Sequence, residues 1–356
     1  MMRAWVEVDL GALRRNAATV ARHSGVPIIP MVKADAYGLG AVRVARALDT
    51  MSEVWGYGVA TVREGDELRR AGITRPIIVF TPLLPAELDG AERAGLTPAL
   101  GEADAIARWQ STGKPWHLSI DTGMSRAGIP WSEVGSLAGL LRRGPPAGAF
   151  THFHSAELDD GSLEAQEARF AQAIGALPER PALLHAENSA AAVRRTPSSW
   201  DLVRPGVFLY GVGSGAAAST APEQVASMRG RIVDLRVVPE GDSVSYGATW
   251  RARGRRRIAT VPIGYADGYR RALGNRAQGV LRGRRVPVAG VVTMDMTMLD
   301  VTDCPCELGD VVTLIGRDGG VLLDLETVAA WGELSPYELL TGLRQRLPRR
   351  YVEEGR

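Results

Sequence analysis

Lys33 stands at the end of an apolar run, and Tyr37 follows it four residues later in the segment VKADAYGLG. An amine that such a run partly removes from water has a lowered pKa, and a neutral amine is a nucleophile. Gly38 and Gly40 would let the backbone turn close to a bound group. A reactive lysine beside a phenol and a glycine-rich turn is the arrangement that holds an aldehyde cofactor covalently.

Further polar residues follow other apolar runs. They are Arg126 in DTGMSRAG, His152 in THFHSAE, Asn188 and Ser189 in HAENSAA, and Arg204, Gly206 and Val207 in VRPGVFLYG. The Ser189 hydroxyl and the backbone amides of Gly206 and Val207 could together bind a phosphate dianion. Each residue is a weak signal alone, and their joint placement after strand candidates is what indicates a single site.

Eight short apolar runs alternate with helical patterns in the first part of the chain. They are IIPMVK (28–33), VWGYGVA (54–60), PIIVF (76–80), TPAL (97–100), PWHLSID (115–121), AGAFTHF (147–153), PALLHAE (181–187) and DLVRPG (201–206). Strands that are apolar throughout are expected where both faces of a parallel sheet are covered. Eight strand–helix units predict a (β/α)8 TIM-type barrel, with a doubly wound sheet as the alternative, and a barrel carries its reactive groups at the carboxyl ends of its strands.

The pattern changes after the small-residue segment GVGSGAAASTAPE (211–223), which is typical of a loop or linker. Alternating apolar and polar runs separated by Gly and Asp turns follow it. We therefore expect a domain boundary here, with a barrel over 10–221 and a mostly-β domain over 222–356. The opening strand VEVDL, within 1–9, is expected to pair with the second domain.

Composition excludes several classes of protein. The 42 Lys and Arg residues nearly balance the 40 Asp and Glu residues, which argues against nucleic-acid or membrane-surface binding. Cys304 and Cys306, in CPC, have no histidine nearby, so we expect no metal site. No apolar run approaches the roughly 20 residues of a membrane span, and the first residues lack the apolar core of a signal peptide. A cytoplasmic protein is expected.

The ordered motifs of the chain resemble those of the alanine racemase family, which is dependent on pyridoxal 5′-phosphate (PLP) and has fold-type III. The similar motifs are VKADAYGLG, DTGMSRAG, NSAA, VRPGVFLYG, VSYGATW, PIGYADGYRR and TMDMTMLD. The resemblance runs from VEVDLGALRRN to SPYELLTGLRQRLPRRY. It implies a homodimer with active sites shared between subunits, which racemises alanine and supplies D-alanine for peptidoglycan.

The resemblance also implies a role for each candidate residue. Lys33 would bind PLP and act as one acid/base, and Tyr246 of the partner subunit would act on the opposite face of the substrate. Two such groups could remove the Cα proton from one face and return one to the other. The phosphate would be held by Tyr37, Ser189, Gly206, Val207 and Tyr337. Arg204 would face the pyridine nitrogen with support from His152, and the substrate would meet Arg126, Met294 and Tyr265.

Three positions depart from the family pattern. Ser119 stands where many members carry a carbamylated lysine that holds the arginine of DTGM-x-R, so we hypothesise that water or a bound anion links Ser119 to Arg126. Val291 stands where an arginine is frequent, which would leave the entrance near Glu157 less polar and open to larger amino acids. Met296 replaces the glutamine of MDQ. Thr293, beside Met294, is compatible with a small substrate side chain.

Three alternative functions share parts of these features. A racemase for serine or basic amino acids would use the same scaffold. A decarboxylase of similar architecture would carry a cysteine where Tyr246 stands. A PLP carrier without turnover would resemble the barrel alone, and the long β-rich region that carries Tyr246, Tyr265 and Met294 argues against it.

Overall fold

The computed structural model of the protein describes residues 2–216 and 218–353. In it, the first strand and helix lead from one half of the molecule to the other. Strand β1 (Ala4–Asp9) ends at Asp9, whose side chain accepts a hydrogen bond from the Ala12 N–H and so caps α1 (Leu10–Ser24). Residues 1, 217 and 354–356, which fall in the predicted domain ends and linker, lie outside the described residues.

Short parallel strands then alternate with helices. In sheet order the strands are β2 (Tyr57–Val59), β3 (Ile77–Val79), β4 (Thr97–Leu100), β5 (His117–Asp121), β7 (Gly148–Phe150) and β8 (Leu183–His185), with β6 (Ile129–Pro130) beside β5. The helices are α2 (Lys33–Gly38), α3 (Ala41–Leu48), α4 (Val62–Arg70), α5 (Pro85–Arg93), α6 (Ala103–Gln110), α7 (Ala138–Arg143), α8 (Ser162–Gly175) and α9 (Ser189–Arg194).

Two predicted strands appear only as single bridges. Ile28 forms parallel bridges to Val54 and Val203, and Met31 forms one to Gly58. Proline has no N–H to donate to a ladder, and prolines stand at 27, 30 and 205 within these segments. The bridges continue the sheet between β2 and β8, and so the barrel closes as the fold class predicts.

The second half is built mainly of strands. One sheet has the order β15 (Arg284–Pro287), β14 (Gln278–Leu281), β17 (Val311–Asp318), β9 (Ala226–Arg231), β1 and β19 (Arg349–Val352), with β18 (Val321–Leu323) beside β17. A second contains β10 (Asp234–Val238), β13 (Arg256–Val261) and β16 (Thr297–Asp300), and a hairpin joins β11 (Ser243–Val244) to β12 (Trp250–Arg251). Helices α10 (Leu325–Trp331) and α11 (Pro336–Thr341) precede β19.

The opening strand does pair with this second half. β1 is antiparallel to β9 and parallel to β19, with Val6 opposite Met228 and Arg349. One apolar core includes residues of both halves, among them Leu39 of the barrel and Leu340 of α11. None of the helices in the described part of the chain has the length and hydrophobicity that a membrane span requires.

Candidate active site

The lysine lies at the start of an unusual backbone turn. Lys33 is the first residue of α2, and the four residues Ala34–Tyr37 have φ between 51° and 55° and ψ between 36° and 54°. This is left-handed helical geometry, which costs L-residues free energy and persists only where neighbouring groups fix it. Lys33 and Tyr37, at the two ends of this turn, both line one cavity.

The glycines after Tyr37 serve a purpose beyond the predicted one. A Cβ at Gly38 would lie 2.7 Å from the Leu340 carbonyl oxygen, and one at Gly40 would clash with the Tyr351 hydroxyl. Both glycines therefore allow the second half of the molecule to pack on the turn. Neither glycine lines the cavity among the described residues, so their close approach to a bound group stays a prediction.

The cavity has a volume of about 600 Å³ and lies at the carboxyl ends of the barrel strands. Its wall contains nine of the predicted site residues: Lys33, Tyr37, Arg126, His152, Ser189, Arg204, Gly206, Val207 and Tyr337. The predicted convergence of strand ends is thus present in the fold.

One end of the cavity carries hydroxyl groups. The Ser189 Oγ accepts hydrogen bonds from the Gly206 N–H at 2.8 Å and the Phe208 N–H at 3.4 Å. A Cβ at Gly206 would lie 2.6 Å from the Tyr37 hydroxyl oxygen, so only glycine allows that hydroxyl to approach here. Burial raises the pKa of Tyr37, which therefore remains a protonated donor. Such a set of neutral donors is suited to a phosphate.

Arg204, in the wall of the same cavity, is a buried cation that is only 3% exposed. Its terminal nitrogens donate to the carbonyl oxygens of Thr151, His185 and Ala186, and to the His185 Nδ1 at 2.9 Å. Burial lowers the pKa of Arg204 to about 9, so the side chain is still charged at neutral pH. No hydrogen bond within the described chain uses its Nε, which remains available to a bound group.

Histidines surround this arginine. The His152 Nδ1 lies 3.5 Å from an Arg204 nitrogen, and burial together with the charge of Arg204 lowers the pKa of His152 to about 3. His117 Nδ1 and His185 Nε2 are 2.7 Å apart in the barrel interior, and burial holds the pKa values of both well below the ordinary range. All three imidazoles are therefore neutral and can accept or donate hydrogen bonds without adding charge beside Arg204.

The amine of Lys33 is also perturbed. Burial lowers its pKa, the charges of Arg126 and Arg204 lower it further, and the carboxylate of Glu64 acts in the opposite direction. A larger fraction of this amine is consequently neutral near physiological pH than in an ordinary lysine.

A second cavity, of about 380 Å³, adjoins Lys33 and Arg126 and contains Ser119 in its wall. Arg126 is exposed and forms no hydrogen bond or ion pair within the described residues. Among the described residues, no hydrogen bond joins Ser119 to Arg126. The carboxylate of Asp121 instead fixes the loop before Arg126, because its Oδ1 accepts from the N–H groups of Gly123, Met124 and Ser125.

Three predicted residues, Tyr246, Tyr265 and Met294, are not in the wall of the larger cavity within the described chain. Tyr246 is 72% exposed and Met294 is 52% exposed. Hydrogen bonds connect their loops: the Tyr265 N–H donates to the Thr293 carbonyl oxygen, and the Ser245 hydroxyl donates to the Val291 carbonyl oxygen. The three exposed residues thus stand on loops of the second half that are hydrogen-bonded to one another.

Acidic groups lie at the mouth of the larger cavity. Glu157 and Glu326 both line it close to Tyr337, and burial and these two carboxylates raise the pKa of the Tyr337 phenol. Glu157 was noted in the sequence, whereas Glu326 was missed. Glu326 stands eleven residues before Tyr337 and belongs to no recognisable pattern.

Sequence reasoning also missed His117 and His185. His117 lies within the apolar run PWHLSID, and His185 lies within PALLHAE. A polar residue in such a run that is too short to reach solvent must find a buried partner. That signal was present, but only the fold shows that His185 is bound to Arg204 and that His117 is bound to His185.

Comparisons with known proteins agree with this arrangement. The family model described as alanine racemase, N-terminal domain, matches residues 8–214, and the one described as alanine racemase, C-terminal domain, matches residues 225–351. The alanine racemase of Symbiobacterium thermophilum is 38% identical over 99% of this chain and 98% of its own length.

Two solved structures superpose along the whole chain. The alanine racemase from Bacillus anthracis with bound L-Ala-P has a TM-score of 0.91 and 31% identity, covering 100% of this chain and 96% of that one. The alanine racemase from Bartonella henselae with covalently bound pyridoxal phosphate has a TM-score of 0.90 and 28% identity, covering 99% and 100%. The cavity geometry and these similarities over both halves lead to one conclusion: the chain belongs to the alanine racemase family.

Proposed function

We propose that this chain interconverts L-alanine and D-alanine with PLP as its cofactor, and that the D-alanine supplies peptidoglycan synthesis. The observation that carries the proposal is that Lys33, Ser189 and Arg204 line one cavity in a member of the alanine racemase family. The relatives named above are alanine racemases that match both halves of the chain. That similarity favours racemisation over decarboxylation and over a PLP carrier that lacks the second half.

The residues of the cavity fit PLP. The Lys33 amine, with its lowered pKa, can bind the aldehyde carbon covalently. The hydroxyls of Tyr37 and Ser189, which both approach Gly206, can donate to the phosphate. The Nε of Arg204 can donate to the pyridine nitrogen. Bound PLP supplies an electron-accepting ring that weakens the Cα–H bond of the amino acid.

Racemisation needs a proton acceptor on one face of the substrate and a proton donor on the other. We assign these roles to Lys33 and to Tyr246 of the partner subunit. The exposure of Tyr246 on its own chain supports this assignment, because a phenol that faces outward is available to a neighbouring site. Tyr265 and Met294 lie on the connected loops and would enter the same site. The proposal therefore includes a homodimer with two shared active sites.

Arg204 would determine the electronic state of the ring. A guanidinium donates hydrogen bonds but has no acceptor, so it leaves the pyridine nitrogen unprotonated. Its contacts to three carbonyl oxygens and His185 fix its orientation. By holding the nitrogen in this state, Arg204 would favour return of the proton to Cα over competing reactions.

The test is Cα-proton exchange in D2O with a panel of L-amino acids, with each enantiomer followed by chiral chromatography. We expect alanine to exchange and racemise far faster than serine, lysine or arginine. Faster turnover of a larger amino acid would contradict the assignment of alanine as the substrate. The acid/base roles of Lys33 and Tyr246 would still stand, and Val291 at the entrance would be the residue to test next.

A further inference from the structure

Glu64 connects the first turn of α4 with the backbone next to the lysine. Its Oε1 accepts a hydrogen bond from the Ala34 N–H at 2.7 Å. Its Oε2 accepts from the N–H groups of Ala60 at 2.8 Å and Thr61 at 3.1 Å. The Thr61–Glu64 pair is a capping box for α4, as the spacing suggests. The bond to Ala34 is an additional contact that no capping box requires.

Ala34 is the peptide at which the chain leaves Lys33 and enters the left-handed turn. Other contacts fix the far end of this turn. The Asp35 Oδ1 accepts from the Ala41 N–H at 2.7 Å, and Arg349 donates to the Gly38 carbonyl oxygen. Among the described residues, the Glu64 carboxylate is the one side chain that binds the N–H at the lysine end.

We propose that Glu64 is a positioning residue for Lys33: its carboxylate fixes the Ala34 peptide to the end of β2 and thereby sets the direction in which the lysine amine enters the cavity. Only one part of this inference, the expected effect on kcat, rests on the function proposed above. Two strand ends of the barrel, those at residue 33 and at residue 60, are held at a constant separation by one carboxylate that spans them.

The same carboxylate contributes to the electrostatic surroundings of the amine. The charged groups that act on Lys33 are Arg126 and Arg204, which lower its pKa, and Glu64, which raises it. The neighbouring His152 is neutral at physiological pH. Removal of the Glu64 charge should therefore lower the pKa of Lys33 further, whereas local unfolding would raise it towards the value of a solvated lysine.

The chain contains two lysines, Lys33 and Lys114, which makes amine labelling specific. The experiment compares the pH dependence of acetylation of both lysines by peptide mass spectrometry, in full-length protein freed of cofactor with hydroxylamine. Lys114 is the internal standard, since it lies on the surface beside Glu92. The matched control is Glu87→Gln, because Glu87 is the corresponding capping glutamate of α5 and, among the described residues, accepts a hydrogen bond from the Leu84 N–H alone.

We expect Glu64→Gln to shift the Lys33 labelling curve to lower pH and to reduce kcat of the cofactor-loaded enzyme about tenfold or more, with a smaller change in KM. Glu64→Asp keeps the charge but shortens the side chain. It should leave the labelling curve near that of the wild type while kcat falls, because the shorter carboxylate cannot span both strand ends. Glu87→Gln should change neither quantity.

The proposal would be overturned if both Glu64 variants kept the Lys33 labelling curve and the kcat of the wild type. It would also be overturned if Lys33 in these variants labels like Lys114, since Glu64 would then maintain the fold of the region in general. The labelling result does not depend on racemase activity. A wild-type enzyme that fails to racemise alanine would therefore contradict the proposed function without affecting the test of Glu64.

Discussion

Ser119 departs from the family pattern without loss of the fold around Arg126. The loop that carries it is fixed by Asp121, so its backbone position does not depend on Ser119. The adjoining cavity of about 380 Å³ has room for small polar groups between Ser119 and the guanidinium. A serine hydroxyl cannot form the carbamate that a lysine would form with CO2.

We therefore expect racemisation to be independent of bicarbonate. The measurement is kcat in CO2-depleted buffer and in the same buffer with added bicarbonate at constant pH and ionic strength. The two rates should agree, because no group at position 119 reacts with CO2. Stimulation by bicarbonate in the wild type that persists in Ser119→Ala would show that another amine is carbamylated.

At the residue scale, sequence motifs located nine of the cavity residues but not their buried supports. Lys33, Ser189 and Arg204 stand in motifs that are local in sequence. The partners of Arg204, such as His185, and the reach of Glu64 to Ala34 depend on contacts between separate strand ends. No local pattern specifies a distance across a barrel.

The elements of the fold were largely predictable from hydrophobic periodicity. Six of the eight predicted strands appear in the sheet, and the other two, at Ile28 and Val203, are reduced to bridges by adjacent prolines. The left-handed turn at Ala34–Tyr37 was not predictable, because none of its residues is glycine. Glu64 and Arg349 of the second half bind its two ends, and both contacts are distant in sequence.

Two loops of the second half are joined by one arginine. Arg346 donates to both carboxylate oxygens of Asp267, at 2.6 and 2.8 Å, and to Asp295 at 2.7 Å. Asp267 is 2% exposed and belongs to the turn that begins with Tyr265, and Asp295 follows Met294. The paired geometry should hold the two proposed substrate contacts in register.

Replacement Arg346→Gln should lower kcat/KM for alanine by about tenfold, since both loops lose their common anchor. The control is Arg276→Gln, which removes the exposed ion pair with Glu333 and should leave kcat/KM within about twofold of the wild type. Steady-state kinetics of the two variants makes the comparison. Equal, small effects would show that the loops hold their positions without Arg346.

At the scale of the whole molecule, the two halves meet at the lysine turn. Arg349 of β19 donates to the Gly38 carbonyl oxygen at 2.7 Å, and the Tyr351 hydroxyl donates to the Leu39 carbonyl oxygen at 3.0 Å. β19 also pairs with β1, which leads directly into the first barrel helix. The last strand of the chain thus contacts the end of the turn that begins at Lys33, and residues of both halves hold this turn.

The proposed sharing of active sites makes a prediction about mixed dimers. Lys33→Ala and Tyr246→Phe should each be nearly inactive alone, because each dimer then lacks one of the two acid/base groups in both sites. When the two variants are unfolded together and refolded, half of the dimers should be mixed, and each mixed dimer should contain one site with both groups intact. We expect about a quarter of the wild-type activity. A mixture of Lys33→Ala with Lys33→Met cannot restore a site and should regain no activity. Equal inactivity of both mixtures would place Lys33 and Tyr246 in the same subunit's site.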